Sequence, residues 1–336
     1  MTDLLQKLCS LDGVSSDEGA VREFIISQIE GFCDFKVDRI GNIIAFKKGS
    51  KQSKVKLMVD AHMDEVGFII TSITDEGFLK FKAVGGIDTA ALMFRKVRIN
   101  GSVMGAVSCK PVHLLTGDQK KKPESVDSLY IDIGASKREE AEALVSIGDF
   151  GVVCGDYQKI GDNIIAKAID DRVGCAILIK LLRQESDYDF YATFSVQEEV
   201  GLRGARVAAF SNGPQSAIIL EATTAADIAG VSQEDKVCQL GCGPAVSFMD
   251  KATVYDKAYY KKALSSGIKC QAKSAVAGGN NSGAVHLSGE GVRTIAISVP
   301  CRYIHTSSCV ANDEDIQNTL TLCKYMINQI CSGDIE

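Results

Sequence analysis

Four short clusters in this 336-residue chain have the residue types of metal-dependent hydrolysis. Met58-Val59-Asp60-Ala61-His62-Met63-Asp64-Glu65 and Thr193-Phe194-Ser195-Val196-Gln197-Glu198-Glu199 both pass from apolar residues into acids. Ala168-Ile169-Asp170-Asp171-Arg172-Val173-Gly174 lies between them, and Arg302-Tyr303-Ile304-His305 comes late. The chain has only four histidines, and two of them keep this company. Imidazoles and carboxylates without clustered cysteines suit zinc, cobalt or manganese rather than an iron–sulfur centre or a calcium cage, with zinc and cobalt leading.

Each cluster has a bland reading and a chemical one. Alternation along an extended backbone puts His62 and Asp64 on one side, so the carboxylate can hold the ring while its other nitrogen faces a metal. Asp170-Asp171 precedes a helix, where one Asp is explained as a cap and the other is left to project toward the strand ends and bridge two cations. Adjacent Glu198 and Glu199 repel unless a cation or proton separates them, so one can ligate while the other handles a proton. Glu221 follows Ile218-Ile219-Leu220 as a further acid at a strand end. His113 and His286 read as structural. Were two metals to share a carboxylate, a bound water would lose its proton near neutral pH, a peptide carbonyl would be polarised, and a nearby Glu could carry the proton to the leaving amine.

The elements that must position these groups alternate between helix and strand. Val21, Phe24, Ile25 and Ile29 predict a helix over 17–31 with Ser15 or Ser16 as N-cap. Residues 37–46 and 55–59 read as strands, the second apolar enough to be buried on both faces. Over 67–162 the pattern shifts to short β-like runs at 68–70, 78–81, 96–99, 103–107 and 129–133, punctuated by Gly85-Gly86, Asn100-Gly101 and Gly117, with one helix at 137–146. Helices at 171–184, 204–210, 257–265 and 313–331 then alternate with strands at 190–196, 217–220 and 294–298. The expectation is an α/β fold, a mixed central sheet with helices on both faces plus an inserted small β-rich domain. Residues 1–66 and 163–336 would form the catalytic domain and 67–162 the insert. In such sheets ligands gather beyond the carboxyl ends of strands, where His62, Glu198, Glu199 and Glu221 fall. Gly278-Gly279-Asn280-Asn281-Ser282-Gly283 lacks the lysine of a phosphate loop and reads as a turn.

Composition narrows the partners. A net charge of −6 without a long basic tract gives no reason to expect nucleic acid or an anionic membrane. Lys120-Lys121-Lys122 beside Pro123 and Glu124 reads as a solvated loop. No basic N-terminal region leads into an apolar stretch and no eighteen apolar residues run uninterrupted, so a soluble cytoplasmic protein is expected. The twelve cysteines are scattered without a Cys-x-x-Cys pair and read mostly as buried thiols. Cys238, Cys242, Cys301 and Cys309 have poor spacing for zinc.

In this order the motifs resemble the M42 family of metallo-aminopeptidases, the glutamyl and tetrahedral aminopeptidase group, over nearly the whole chain. The resemblance rests on Ala61-His62-Met63-Asp64-Glu65-Val66-Gly67, the Asp170-Asp171 and Glu198-Glu199 clusters, Glu221-Ala222-Thr223-Thr224-Ala225-Ala226-Asp227 and Arg302-Tyr303-Ile304-His305. It implies a zinc-exopeptidase-like fold and two divalent metal ions per subunit, zinc or cobalt. Asp170 would bridge them, with His62 and Glu221 completing one site and Glu199 and His305 the other. Glu198 would act as general base on a metal-bridging water, and Asp64 would orient His62. Short peptides would lose their N-terminal residues, and the insert would mediate dimers that build a homo-oligomeric dodecamer. The chain departs from many relatives in having Glu221 for Asp, Asn281-Ser282 for Asp-Ala, and Thr306-Ser307-Ser308-Cys309 for Ser-Pro-Val-Glu.

Two other readings compete. Paired carboxylates invite an endoglucanase-type glycosidase, but neighbours on one strand are poorly placed to flank a glycosidic bond, and that chemistry needs neither His62 nor His305. A catalytically inactive self-assembling scaffold would not need the full complement of ligands and base.

Overall fold

The structure is a computed structural model that describes residues 1–114, 117, 125–276 and 278–335. The Lys120-Lys121-Lys122 tract and its neighbours Pro123 and Glu124 lie outside the described residues. Strands β1 (Asp34–Val37), β2 (Ile43–Lys47) and β3 (Leu57–His62) come first. Six more follow: β4 (Gly67–Ile73), β5 (Leu79–Val84), β6 (Lys96–Ile99), β7 (Val103–Ser108), β8 (Tyr130–Asp132) and β9 (Phe150–Val153). Then come β10 (Gln158–Ile160), β11 (Asn163–Ala166), β12 (Phe190–Ser195) and β13 (Ser216–Thr224). Last are β14 (Ala245–Val246), β15 (Gln271–Ala272), β16 (Arg293–Arg302) and β17 (Cys309–Asn312). The helices are α1 (Thr2–Ser10), α2 (Gly19–Ile29), α3 (Thr89–Leu92), α4 (Arg138–Glu142), α5 (Ile169–Arg183), α6 (Arg203–Asn212), α7 (Lys257–Leu264), α8 (Ser282–Val285) and α9 (Asp313–Cys331).

The main sheet runs β1-β2-β12-β3-β13-β16-β17-β11-β10, with β14 and β15 attached beside β16. Its centre, β12-β3-β13-β16, is parallel and its flanks are antiparallel, so the sheet is mixed. Alternate side chains feed two cores. Leu57, Val59 and Ala61 of β3, with Ile218 and Leu220 of β13, pack in a cluster that includes Ile177, Leu178 and Leu181 of α5 and Leu322 and Met326 of α9. Met58, Ala217, Ile219 and Ala296 face the other way, against Ala205 and Ala209 of α6 and Val285 of α8. Both faces are therefore covered, which is why these strands read as continuous apolar runs.

Strands β4-β5-β8-β7-β6-β9 close into a separate six-stranded barrel with its own core, including Phe68, Phe81, Val97 and Ile131. Asn100-Gly101 makes the β6–β7 hairpin, with positive φ at both residues, as an Asn-Gly turn requires.

Several expected boundaries move. Residues 37–46 are a hairpin instead of one strand, because the Asp38 carboxylate collects the N–H groups of Ile40, Gly41 and Asn42 and turns the chain. Neither Ser15 nor Ser16 caps α2; its N-cap is Glu18, and Ser15 bonds elsewhere. The 137–146 helix shortens to α4, and α3 is a second short helix in the barrel segment. Residues 158–160, placed in the insert by the boundary at 162, pair with β11 in the main sheet.

Candidate metal centre

Parallel pairing brings the ends of β12, β3 and β16 to one edge of the sheet, and the acidic clusters collect there. The centre is organised by Asp170. Its Oδ1 lies 3.5 Å from His62 Nε2, and its Oδ2 lies 3.5 Å from His305 Nε2. Glu221 Oε2 is 3.6 Å from His62 Nε2, and Glu199 Oε1 is 3.2 Å from His305 Nε2. One carboxylate thus faces two imidazoles through separate oxygens, each imidazole with a second acid. Glu198 lines the same cavity.

Both rings are steered from behind. His62 Nδ1 meets the Asp64 backbone oxygen at 3.1 Å and its Oδ1 at 3.3 Å. His305 Nδ1 meets the Gly86 carbonyl at 2.8 Å, a contact from the barrel side of the molecule. A carbonyl partner fixes Nδ1 as the protonated nitrogen and leaves Nε2 facing the acids. Asp64 does more than hold a ring. Its oxygens accept the Ser15 hydroxyl at 2.6 Å and the backbone N–H groups of Glu198 and Glu199 at 3.0 and 3.1 Å. Buried Glu18 accepts the Gln197 N–H at 3.1 Å. Gly204 closes the same turn: a Cβ there would run into the Val196 backbone and Asn42 Oδ1, so only glycine lets α6 start so near β12.

Asp170 and Asp171 divide their work. Both have non-helical backbone within the first turn of α5, and the Asp171 Oδ1 accepts the Gly174 N–H at 2.9 Å, capping the regular turns that follow and leaving Asp170 to project. Their peptide bond is cis. Asp171 also reaches the centre, because His62, Asp171 and Glu221 offer ligand atoms within 4.8 Å of one another, as do His62, Asp170 and Glu199. The segment after β3 is clamped by fully buried Arg172, which donates to the Met63 and Leu8 carbonyls and to Glu65. Lys167 reaches the same Glu65 carboxylate at 2.6 Å.

Electrostatics marks the cluster as short of positive charge. Burial, with Glu221, Glu199 and Asp170 close by, holds Glu198 well above the usual carboxylate range. Burial pushes Glu221 up to about 7, with Asp170 and Asp60 adding to it against His62. Burial opposes charge on His305, but Asp170 and Glu199 outweigh it and raise the imidazole to about 11. Burial would raise Asp170 too, yet the His305 and His62 imidazoles facing it hold it below the ordinary range. The donor set fits divalent metal ions on one further observation: Asp170 Oδ1 and Glu221 Oε1 are buried and accept no hydrogen bond among the described residues.

His113 lies in a short turn at Val112–Leu114, and His286 Nδ1 bonds the Ser282 carbonyl, so neither joins the centre. The segment read as a turn at 278–283 contributes Gly278, Gly279 and Asn280 to the cavity wall and begins α8. Asn281 is buried and donates to Asp60 and to Ser195 Oγ. Sequence reasoning missed the parts played by Ser15, Gly86 and Asn281, and the approach of Asp171 to the centre. Only Asp171 carried a local signal; the others meet the centre through contacts distant in sequence.

A layered α/β sheet carrying two imidazoles and a shared carboxylate at its strand ends is the frame of a metal-dependent hydrolase. The model of the M42 glutamyl aminopeptidase family matches residues 41–322. A putative aminopeptidase of Acetivibrio thermocellus is 39% identical over 338 residues, covering 98% of each chain. The solved TET1 peptidase of Pyrococcus horikoshii, described as assembling into a tetrahedron or a large octahedral shell, has a TM-score of 0.84. It is 32% identical, over 96% of this chain and 97% of that one. A Thermotoga maritima structure described as an endoglucanase has a TM-score of 0.81 at 33% identity, covering 98% of each chain. The chain belongs to the M42 family, whose peptidases are metal-dependent, and is an aminopeptidase.

Proposed function

We propose that the protein is a dinuclear aminopeptidase that removes N-terminal residues from short peptides in the cytoplasm. The observation that carries this is the Asp170 carboxylate with one oxygen toward His62 and the other toward His305, both at 3.5 Å. His62, Asp170 and Glu221 would hold one ion and His305, Asp170 and Glu199 the other, with zinc or cobalt suited to the donors. Bound there, the ions would polarise the peptide carbonyl and make water acidic enough to ionise near neutral pH. Glu198 receives the proton from the attacking water and returns it to the leaving amine, and its raised affinity for a proton suits both transfers. Asp64 keeps Glu198 and Glu199 in register with His62 through three contacts to one carboxylate. Residues 67–162 serve in this reading as the dimerisation domain, and dimers build a tetrahedral dodecamer like the shells of the TET peptidases.

A panel of aminoacyl-p-nitroanilides tests the reading with chelator-stripped protein, before and after Zn²⁺ or Co²⁺, alongside Glu198→Ala. Cleavage restored by metal and abolished in Glu198→Ala is the expected result. Absence of cleavage under either metal would sink it and favour a scaffold. Chelator-insensitive hydrolysis of a β-glucan would favour the glycosidase.

A further inference from the structure

Behind the centre lies a buried polar triangle that metal binding and proton transfer leave unused. Asn281 Nδ2 donates to Asp60 Oδ2 of β3 at 2.7 Å and to Ser195 Oγ of β12 at 2.9 Å, and the Ser195 hydroxyl donates to the same Asp60 oxygen at 3.2 Å. All three residues are fully buried. Asp60 stands two residues before His62, and Ser195 pairs in register with His62, so the triangle is tied to the strand ends that carry the centre. Asn281 is tied equally to the cavity wall. Its neighbours Gly278, Gly279 and Asn280 line the cavity of about 280 Å³ beside His62, Glu198 and Glu221, and they belong to no helix or strand. On the outer side this wall is held by Asn280, whose amide donates to Tyr255 Oη at 2.9 Å and whose carbonyl oxygen accepts the Ser282 N–H at 2.8 Å. On the inner side the Asn281 amide joins it to the sheet.

As a source of stability the triangle is poor. Asp60 Oδ1 and Asn281 Oδ1 are buried and accept no hydrogen bond among the described residues, and a half-satisfied buried network stabilises less than apolar side chains would. The metal-side groups have anchors of their own, since the His62 N–H meets Asp171 Oδ2 at 3.3 Å and the Glu198 and Glu199 N–H groups meet Asp64. What the triangle supplies is position. We propose that Asn281 is a positioning residue for the substrate: its amide fixes the 278–280 wall against β3 and β12 and so sets how tightly a peptide is held over the centre. This deepens the aminopeptidase reading and rests on it. The direction of the bonds matters as much as their number. Asn281→Asp would set a second carboxylate against that of Asp60, whereas Asp60→Asn combined with Asn281→Asp exchanges donor and acceptor and lets the Ser195 hydroxyl turn to the relocated carboxylate.

The test measures kcat and KM on the best-cleaved aminoacyl-p-nitroanilide of the panel, together with zinc affinity by chelator competition. Asn281→Ala should raise KM about tenfold or more and hold kcat and zinc affinity within about twofold of the parent, the pattern of lost binding rather than lost chemistry. Ser195→Ala keeps the bond between Asp60 and Asn281 and should raise KM by a smaller factor, so it carries the test if Asn281→Ala does not fold. Asn281→Asp should raise KM as well, and the combined Asp60→Asn and Asn281→Asp exchange should return it to within about threefold of the parent. Parental KM in Asn281→Ala and Ser195→Ala overturns the assignment. A fall in kcat at parental KM, or a loss of zinc affinity of about tenfold, overturns it too by placing the amide with the machinery of the centre. A raised KM that the exchange leaves uncorrected reduces Asn281 to packing and also overturns it. Absence of cleavage by the zinc-loaded parent is a failure of the aminopeptidase reading, and amide hydrogen exchange then judges Asn281 without turnover. Faster exchange over 278–285 with parental exchange over α5 in Asn281→Ala supports the positioning role, and parental exchange over both overturns it.

Discussion

Asp64→Asn isolates the job of holding the centre from the job of binding metal, because Asp64 meets Glu198 and Glu199 at their backbone N–H groups and not at their carboxylates. The amide keeps the shape but replaces one acceptor oxygen with a donor. Placed at Oδ1, that donor faces the Glu198 N–H and His62 Nδ1; placed at Oδ2, it faces the Glu199 N–H and Ser15. Either way a buried backbone N–H loses its acceptor, at a cost of about 1–3 kcal/mol. With unfolding entropy of about 2.1 cal/mol/K per residue, 336 residues give roughly 1.4 °C per kcal/mol, so Tm should fall by only about 1–4 °C. Metal binding should suffer more visibly. Removing an outer partner of a histidine ligand typically weakens metal affinity about 10–100-fold, and here the same change also frees the Glu198-Glu199 turn. Zinc affinity measured by chelator competition should therefore drop at least tenfold, and activity at saturating zinc should fall as well. Wild-type zinc affinity in a folded Asp64→Asn protein would refute the positioning argument.

Glu198→Gln should lower kcat by about 10²–10⁴-fold while zinc stoichiometry stays at the parent value, because the amide cannot accept the proton; a variant with parental kcat would remove Glu198 from the proton path. Gly85→Ala should weaken zinc at the His305 side and leave the His62 side near parental affinity. Gly85 has φ of +83°, and its Cβ would sit 2.9 Å from Val66 Cγ1 and 3.2 Å from Glu199 Cβ; equal weakening of both affinities by calorimetry would contradict this. The chelator-stripped protein should lose stability as pH rises from about 4.5 to 7. Glu221 and Asp60 sit at about 7 in the fold, above the ordinary carboxylate value, so the folded state binds more protons than the unfolded chain in that window. His305, raised to about 11, contributes fully below about 6.5 and loses its contribution as pH climbs through 11, so it continues the same trend. A stripped-protein Tm that climbs steadily from pH 5 to 8 would contradict this sign, and zinc should reverse the decline by displacing those protons.

What the sequence made legible was whatever a short window decides. The apolar runs of β3, β12 and β13 announced strands buried on both faces, and the acids that follow β3 and β12 pointed to one edge of a sheet, whereas β13 runs on to Thr224 and holds Glu221 inside the strand instead of at its end. Asn100-Gly101 announced its hairpin for the same local reason. The misread pieces are those where a side chain found a distant partner. Ser15 has the chemistry of an N-cap, but Asp64, 49 residues away, offers its hydroxyl a buried carboxylate. Residues 278–283 have the composition of a plain turn, and only the pairing of β14 and β15 beside β16 carries them and Lys273 to the cavity. Asp38 shows the converse, since its bonds lie within four residues, yet strand propensity on both sides concealed the turn.

The two halves of the centre are built unequally, and the cause lies in who holds each histidine. His62 stands on β3 in the middle of the parallel sheet, its side chain only 1% exposed, and is steered by Asp64 two residues on. His305 lies beyond the end of β16, its side chain 30% exposed, and is steered by the Gly86 carbonyl 219 residues away in sequence. Gly86 follows β5 of the barrel, so the second imidazole is aimed only when barrel and sheet are docked. An anchored half and a conditional half share one Asp170 carboxylate. The barrel's Gly86 thus aims the imidazole that meets Glu199, whose backbone N–H is held by Asp64. Asp64 and Gly86 accordingly act as the two fixed points between which the acids of the centre are strung, one supplied by each part of the fold.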